Sequence, residues 1–176
     1  NARVDLALDA ADQLLAKDPA DPYFLELKGQ VLLESGRPHE ALDPLRRATA
    51  MTNAEPLIAS LFGHALIATE DDGNFEEAER VLRAAVGRDR RNPFAWYQLG
   101  VVYAARGDTA RARLASAEQQ VMNRQYGLAL RSAQAAEYGL EHGTPDWIRA
   151  QDIGMQARAL LERQCEMERG RDCAPG

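Results

Sequence analysis

The sequence repeats with a period of 34 to 37 residues, and this period constrains the fold more than any other feature. The corresponding segments open at Pro22, Pro56 and Pro93, and a glycine recurs at one fixed offset in each, at Gly29, Gly63 and Gly100. The additional residues of the longer period fall in the acidic turn 70–73, where lengthening a loop costs little. Self-similarity of this kind is typical of helical units that stack into a solenoid.

The second half of each segment repeats a pattern of small and large apolar residues. The corresponding positions are Ala41, Ala78 and Ala112, then Leu45 and Leu82, then Ala48 and Ala85. Alanine occurs 31 times, whereas valine and isoleucine together occur 11 times, and this balance favours helices over strands. Because helices accept proline in their first turn, the proline that opens each segment marks the start of a helix. The apolar pattern in the second half of the segment then predicts a second helix, joined to the first by a turn.

The helix and turn signals predict an all-α chain of about nine helices. Their predicted ranges are 2–16, 22–34, 39–50, 56–68, 75–87, 93–105, 108–122, 126–140 and 145–163. Together they predict one helix-turn-helix solenoid over residues 1–164, followed by a flexible tail at 165–176. An irregular helical bundle is the alternative that this pattern leaves open.

Both ends of the chain depart from the repeat. Ala7 lies 34 residues before Ala41, so the first helix is predicted to be the second half of a truncated unit. The chain opens with Asn1 rather than methionine, and we therefore expect a processed or excised piece with further chain upstream. After Met122, small residues at Ala129, Ala133 and Ala136 give a predicted first helix the spacing of a second helix. A change of geometry is expected there.

The repeat resembles the tetratricopeptide repeat (TPR) family, whose units carry a large residue, Leu-Gly, an aromatic residue, a turn glycine and an alanine in order. The third unit matches this pattern best, at Trp96, Leu99, Gly100, Tyr103, Gly107 and Ala112. The resemblance implies a right-handed superhelix whose first helices line a concave groove. It also implies that this groove binds a protein or an unfolded polypeptide.

Family offsets give a candidate lining for that groove. The nine residues are Tyr23, Glu26, Gln30, Leu57, Ser60, His64, Phe94, Tyr97 and Val101. TPR domains that hold the C-terminal carboxylate of a chaperone place lysine and asparagine at offsets that Glu26 and Gln30 occupy here, so that partner class is rejected. Trp96 and Tyr103 are interpreted as core, whereas Tyr23, Phe94 and Tyr97 fit either the groove or packing between repeats.

Composition and motifs exclude several other functions. A net charge of −6 leaves no basic surplus for nucleic acid, and no apolar run reaches the length of a membrane span. His39-Glu40 begins like the zinc motif HExxH, but Asp43 stands where the second histidine is needed. We therefore expect neither a metal, a cofactor nor a catalytic residue in this chain. Cys165 and Cys173 allow either a disulfide or two free thiols.

Four stretches resemble, in order and spacing, the C-terminal TPR region of BepA-type periplasmic zinc metallopeptidases of Gram-negative bacteria. They are DPYFLELKGQ at 21–30, GRPHEAL continuing to LRRA at 36–48, AWYQL at 95–99 with LASAE at 114–118, and GTPDWIRAQDI at 143–153. In that family an HExxH domain, absent here, cleaves misfolded outer-membrane proteins, and the TPR region engages that domain and its substrates.

The resemblance implies that this chain is the non-catalytic, partner-binding and regulatory region of such an enzyme. Its partners would be the HExxH protease domain or unfolded outer-membrane polypeptides. The resemblance also implies a periplasmic location, which favours a disulfide between Cys165 and Cys173. The alternative is a stand-alone TPR adaptor of a cell-envelope or secretion complex.

Overall fold

The computed structural model describes residues 2–169, and every long element in that range is an α-helix. The helices are α1 (Ala2–Lys17), α2 (Pro22–Glu34), α3 (Pro38–Met51), α4 (Pro56–Ala68), α5 (Phe75–Arg88), α6 (Pro93–Ala105), α7 (Thr109–Met122), α8 (Tyr126–Gly139) and α9 (Pro145–Arg169). A short 3₁₀ turn, Asp72–Asn74, occupies the predicted insertion. The all-α prediction is confirmed. The largest difference is in α9, which continues past the predicted end at Arg163 because no proline or glycine follows before Gly170.

The first helix of each repeat begins with a proline, and the residue before that proline is the N-cap of the helix. The side chain of Asp21 accepts hydrogen bonds from the backbone N–H groups of Tyr23 (2.8 Å) and Phe24 (3.1 Å), and Pro22 follows it. Glu55 and Asn92 accept equivalent bonds at the starts of α4 and α6. These caps satisfy N–H groups that the helix itself leaves open, so they fix where each repeat begins.

The chain divides into two compact units, and the first runs up to Arg90. In this unit each helix packs against the next, and α2 also packs directly against α4. Leu25, Ala48 and Ile58 bring α2, α3 and α4 together in one buried cluster, against which Leu15 of α1 packs. The two helices of each repeat are therefore neighbours, and the first helices of successive repeats are neighbours as well.

The helices of a repeat approach most closely at a glycine. A Cβ added at Gly63 would lie 2.5 Å from Leu82 Cγ, and one added at Gly29 would overlap Leu45 in the same way. Both leucines are fully buried. A larger side chain at either glycine would push the paired helix away, so the glycine sets the separation of the hairpin.

The second unit begins at Arg91, and its helices pack in a different order. Here α7 packs against α6 and α8 and also directly against α9. The face of α8 that carries Ala129, Ala133 and Ala136 is buried, at the spacing of Ala41, Leu45 and Ala48 in α3. The buried face of α8 thus has the spacing of a second helix, and the change of geometry after Met122 stays a prediction.

Two ion pairs join α7 to α9 in the second unit. Glu118, which is 4% exposed, accepts hydrogen bonds from Arg149 Nε at 2.5 Å and Nη2 at 2.9 Å. Arg111 Nε donates to Asp146 Oδ2 at 2.7 Å. The two bonds from Arg149 give the buried carboxylate of Glu118 a charged partner, and both pairs hold α9 against α7.

The glycines give a test of this packing. Gly63→Ala is expected to lower the free energy of unfolding by about 1–3 kcal/mol, because Leu82 must move. Gly100→Ala is the matched control, since its Cβ would meet Ala115 Cβ at an ordinary 3.5 Å. The control should be neutral or stabilise by up to about 1 kcal/mol through helix propensity. Urea unfolding measures both, and equal effects at the two glycines would contradict the packing described.

Candidate functional site

The first unit exposes two large apolar side chains at the same position of neighbouring repeats. Tyr23 is 63% exposed and Leu57 is 67% exposed, and each is the second residue of its first helix. The caps at Asp21 and Glu55 place both in the first turn. We call the surface formed by Tyr23, Glu26, Gln30, Leu57 and His64 the first-helix face.

Glu26 lies on this face one turn after Tyr23 and is half-buried. Burial raises the pKa of the Glu26 carboxyl above its ordinary value, and the charge of nearby Glu55 raises it further. Glu55 caps the start of α4, and α2 packs directly against α4. The helix interface therefore holds a carboxylate in a place that disfavours its charge.

The other residues predicted for the first unit differ in how much surface they offer. The exposed Gln30 donates from Nε2 to Glu34 Oε1 at 2.8 Å. His64 is half-buried, and burial lowers its pKa, which favours the neutral imidazole near pH 7. Ser60 is only 2% exposed, and its hydroxyl donates to the backbone oxygen of Pro56 at 2.5 Å. The structure therefore places Ser60 beneath the face rather than on it.

The predicted residues of the second unit lie together on α6. Phe94 is 43% exposed and Tyr97 is 57% exposed, whereas Val101 is half-buried. On the same helix Tyr103 is 7% exposed, as expected of a core residue, and Trp96 is half-buried. Thus α6 turns two aromatic side chains outward at positions equivalent to Leu57 and Ser60 of α4.

Sequence reasoning missed a groove between α8 and α9. Its volume is about 380 Å³, and six of its lining residues are Leu130, Gln134, Glu137, Gln151, Met155 and Arg158. The two helices contribute opposite walls, so no single segment of the sequence carries a signal for it. Its lining mixes apolar, amide and oppositely charged groups, which favours no one class of ligand.

The structure also bears on the membrane, metal and cysteine predictions. No helix within 2–169 is long and apolar enough to span a membrane, and no cluster of three or more metal-ligating side chains occurs there. Cys165 lies in the last turns of α9. Cys173 lies outside the described residues, so the disulfide stays a prediction.

The tetratricopeptide repeat family matches residues 1–56 and 68–124, which is more than half of the chain. The chain belongs to the tetratricopeptide repeat family. TPR repeats are generally non-catalytic scaffolds, and they imply that this chain is a protein–protein interaction module. Among curated proteins, none matches its sequence.

Solved structures agree with this TPR assignment. Two crystal structures of MamA are similar to the chain at 20% and 18% identity, with TM-scores of 0.64 and 0.65. The first match covers 93% of this chain and 91% of MamA, and the second covers 99% and 90%. TTC0263, a thermophilic TPR protein of Thermus thermophilus, matches at 23% identity and a TM-score of 0.52 over 91% of both chains. These likenesses support a TPR solenoid rather than an irregular bundle.

The raised pKa of Glu26 predicts a cost to stability at neutral pH. A carboxyl whose pKa is higher in the folded than in the unfolded state holds its proton more tightly in the folded state. Its charged form therefore destabilises the native TPR unit. Glu26→Gln is therefore expected to raise the melting temperature at pH 7, and the advantage should shrink as pH falls through the raised pKa and disappear below the ordinary value of 4.5.

Glu34→Gln is the matched control, because Glu34 is an exposed carboxylate on the same helix. It should change the free energy of unfolding by less than about 0.5 kcal/mol. Thermal unfolding followed by circular dichroism at several pH values separates the two variants. A lower melting temperature for Glu26→Gln at pH 7 would show that the carboxylate is not a cost to the fold.

Proposed function

We propose that the chain binds an extended or unfolded segment of a partner protein along the first-helix face. The observation that carries this proposal is the repeated exposure of a large apolar residue at one repeat position. That position holds Tyr23 and Leu57, on the two first helices of the first unit. Isolated exposed apolar residues are common on protein surfaces, but two at the same position of helices that pack together supply paired contacts for a segment that lies across α2 and α4.

The chemistry of the face suits a polypeptide ligand. Tyr23 and Leu57 offer apolar area, and aromatic side chains contribute strongly to protein interfaces. Gln30 and His64 add groups that can donate or accept hydrogen bonds to a backbone. A mixed surface of this kind holds an extended segment by side-chain contacts and backbone hydrogen bonds together.

We further propose that the chain serves as the partner-binding and regulatory region of a periplasmic metallopeptidase that acts in outer-membrane protein quality control. The support is the resemblance of residues 21–30, 36–48, 95–99, 114–118 and 143–153 to BepA-type enzymes. On this proposal the partners are the HExxH protease domain and unfolded outer-membrane polypeptides, and the location is the periplasm.

The contacts of the face are tested by a paired substitution. Tyr23→Ala with Leu57→Ala is expected to weaken binding of unfolded β-barrel segments at least about tenfold, because truncating interface anchors costs roughly 1–4 kcal/mol. Tyr138→Ala is the control, since Tyr138 is 96% exposed on α8, outside the first-helix face. Fluorescence anisotropy of labelled segments measures the affinities. Equal losses for the control and the paired variant would place the contact surface elsewhere.

The metallopeptidase context predicts binding to at least one of two partners. The chain should bind the HExxH domain encoded in the same genome, or unfolded β-barrel segments, with dissociation constants below about 100 μM, as in weak transient complexes. Isothermal titration calorimetry with each partner measures this. Binding to neither partner at that concentration would reject the context and favour a stand-alone adaptor.

A further inference from the structure

The first-helix face carries negative charge that its own helices do not neutralise. Between them, α2 and α4 contain one lysine or arginine, Lys28, whose Nζ lies 2.6 Å from Asp12 Oδ1 on α1. Among the residues that the structure describes, Glu26 forms no ion pair. A half-buried carboxylate therefore stands beside exposed apolar side chains without a counter-ion.

The surroundings of Glu26 add to this negative charge. Glu55 repels it, and the capping bonds that Glu55 accepts at 2.9 and 3.0 Å come from uncharged backbone N–H groups. His64, the other basic side chain of these two helices, is disfavoured in its charged form because burial lowers its pKa. Arg46 of α3, whose guanidinium lies over an aromatic ring of α4, is engaged by Glu77 of α5 at 2.8 Å.

We propose that the first-helix face recognises a lysine or arginine of its partner segment, flanked by apolar residues. This rests on the proposed function, and it names the chemistry of the segment bound. The cationic group would lie against Glu26 and Glu55, while its alkyl stem packs on Tyr23 and Leu57. The exposed ring of Tyr23 also offers a face to which a cation is attracted.

The loss of water from Glu26 on binding favours a cationic side chain of the partner over other side chains beside Glu26. Any segment that covers the face removes water from Glu26, and a carboxylate that loses water without gaining a partner costs free energy. An apolar residue would leave that cost uncompensated, and an acidic residue would add repulsion. A lysine or arginine compensates for the free energy of removing water from Glu26, and it lowers the repulsion between Glu26 and Glu55.

Three labelled synthetic peptides test the proposal with the intact chain. They share one sequence of apolar residues around a central position that holds lysine, uncharged norleucine or glutamate. The lysine peptide should bind about three- to tenfold more tightly than the norleucine peptide, as expected for one partly shielded ion pair. The glutamate peptide should bind least well. Raising the salt concentration should shrink the lysine preference.

Charge variants assign the preference to one residue. Glu26→Gln should bind the lysine and norleucine peptides equally, and Glu26→Lys should prefer the glutamate peptide. Glu34→Lys on the same helix is the control and should keep the preference for lysine. Because Glu26→Gln is also expected to be more stable than the parent chain, weaker binding of the lysine peptide cannot be attributed to unfolding.

The outcomes separate this inference from the proposed function. Equal affinity of the parent chain for the lysine and norleucine peptides, together with loss of binding in Tyr23→Ala with Leu57→Ala, would overturn the cationic preference and keep the binding face. If none of the three peptides binds, both are wrong. A lysine preference that survives Glu26→Lys would also overturn the inference, because another site would then carry it.

Discussion

The close approach of paired helices at a glycine is the contact on which the rest of the fold depends. Gly29 and Gly63 leave no room for a Cβ because Leu45 and Leu82 fill the space. This pairing of the smallest residue with a large one fixes the separation of each hairpin. Since α2 and α4 then pack side by side, their first turns present Tyr23 and Leu57 to solvent at equivalent positions. The exposed face thus follows from a buried contact.

In the second unit, paired helices approach each other through side chains of other sizes. Ala117 precedes Ala133 by the interval that separates Gly29 from Leu45, and the two alanines share a buried cluster with Ile153. Two small groups replace a glycine and a leucine here, and Ile153 of α9 packs against both of them. In this way α7 and α8 form a hairpin although α7 already pairs with α6. In the second unit α7 packs directly against α9, as the first helix α2 packs against α4 in the first unit. The ion pairs between Glu118 and Arg149 and between Arg111 and Asp146 hold α9 in place.

The sequence predicted the helices well because glycine, proline and alanine act locally, at turns, helix starts and close contacts. The spacing of Ala129, Ala133 and Ala136 is itself a repeat signal, and these three residues do form a buried face of α8. It did not predict that Ser60 would be buried, because family offsets do not specify the volume of neighbouring side chains. The pairs that join α7 to α9 and the groove between α8 and α9 also escaped it, since these depend on residues that are far apart in sequence.

Glu26 is the residue on which the proposed recognition of a cation rests, because its raised pKa shows that its surroundings disfavour the charged carboxylate, and a ligand can compensate for this. Nuclear magnetic resonance of the isotopically labelled chain, titrated with the lysine peptide, tests this most directly. We predict that the largest backbone shift changes occur at Tyr23, Glu26, Leu57 and His64. Changes centred instead on the groove between α8 and α9 would contradict this assignment of the binding surface.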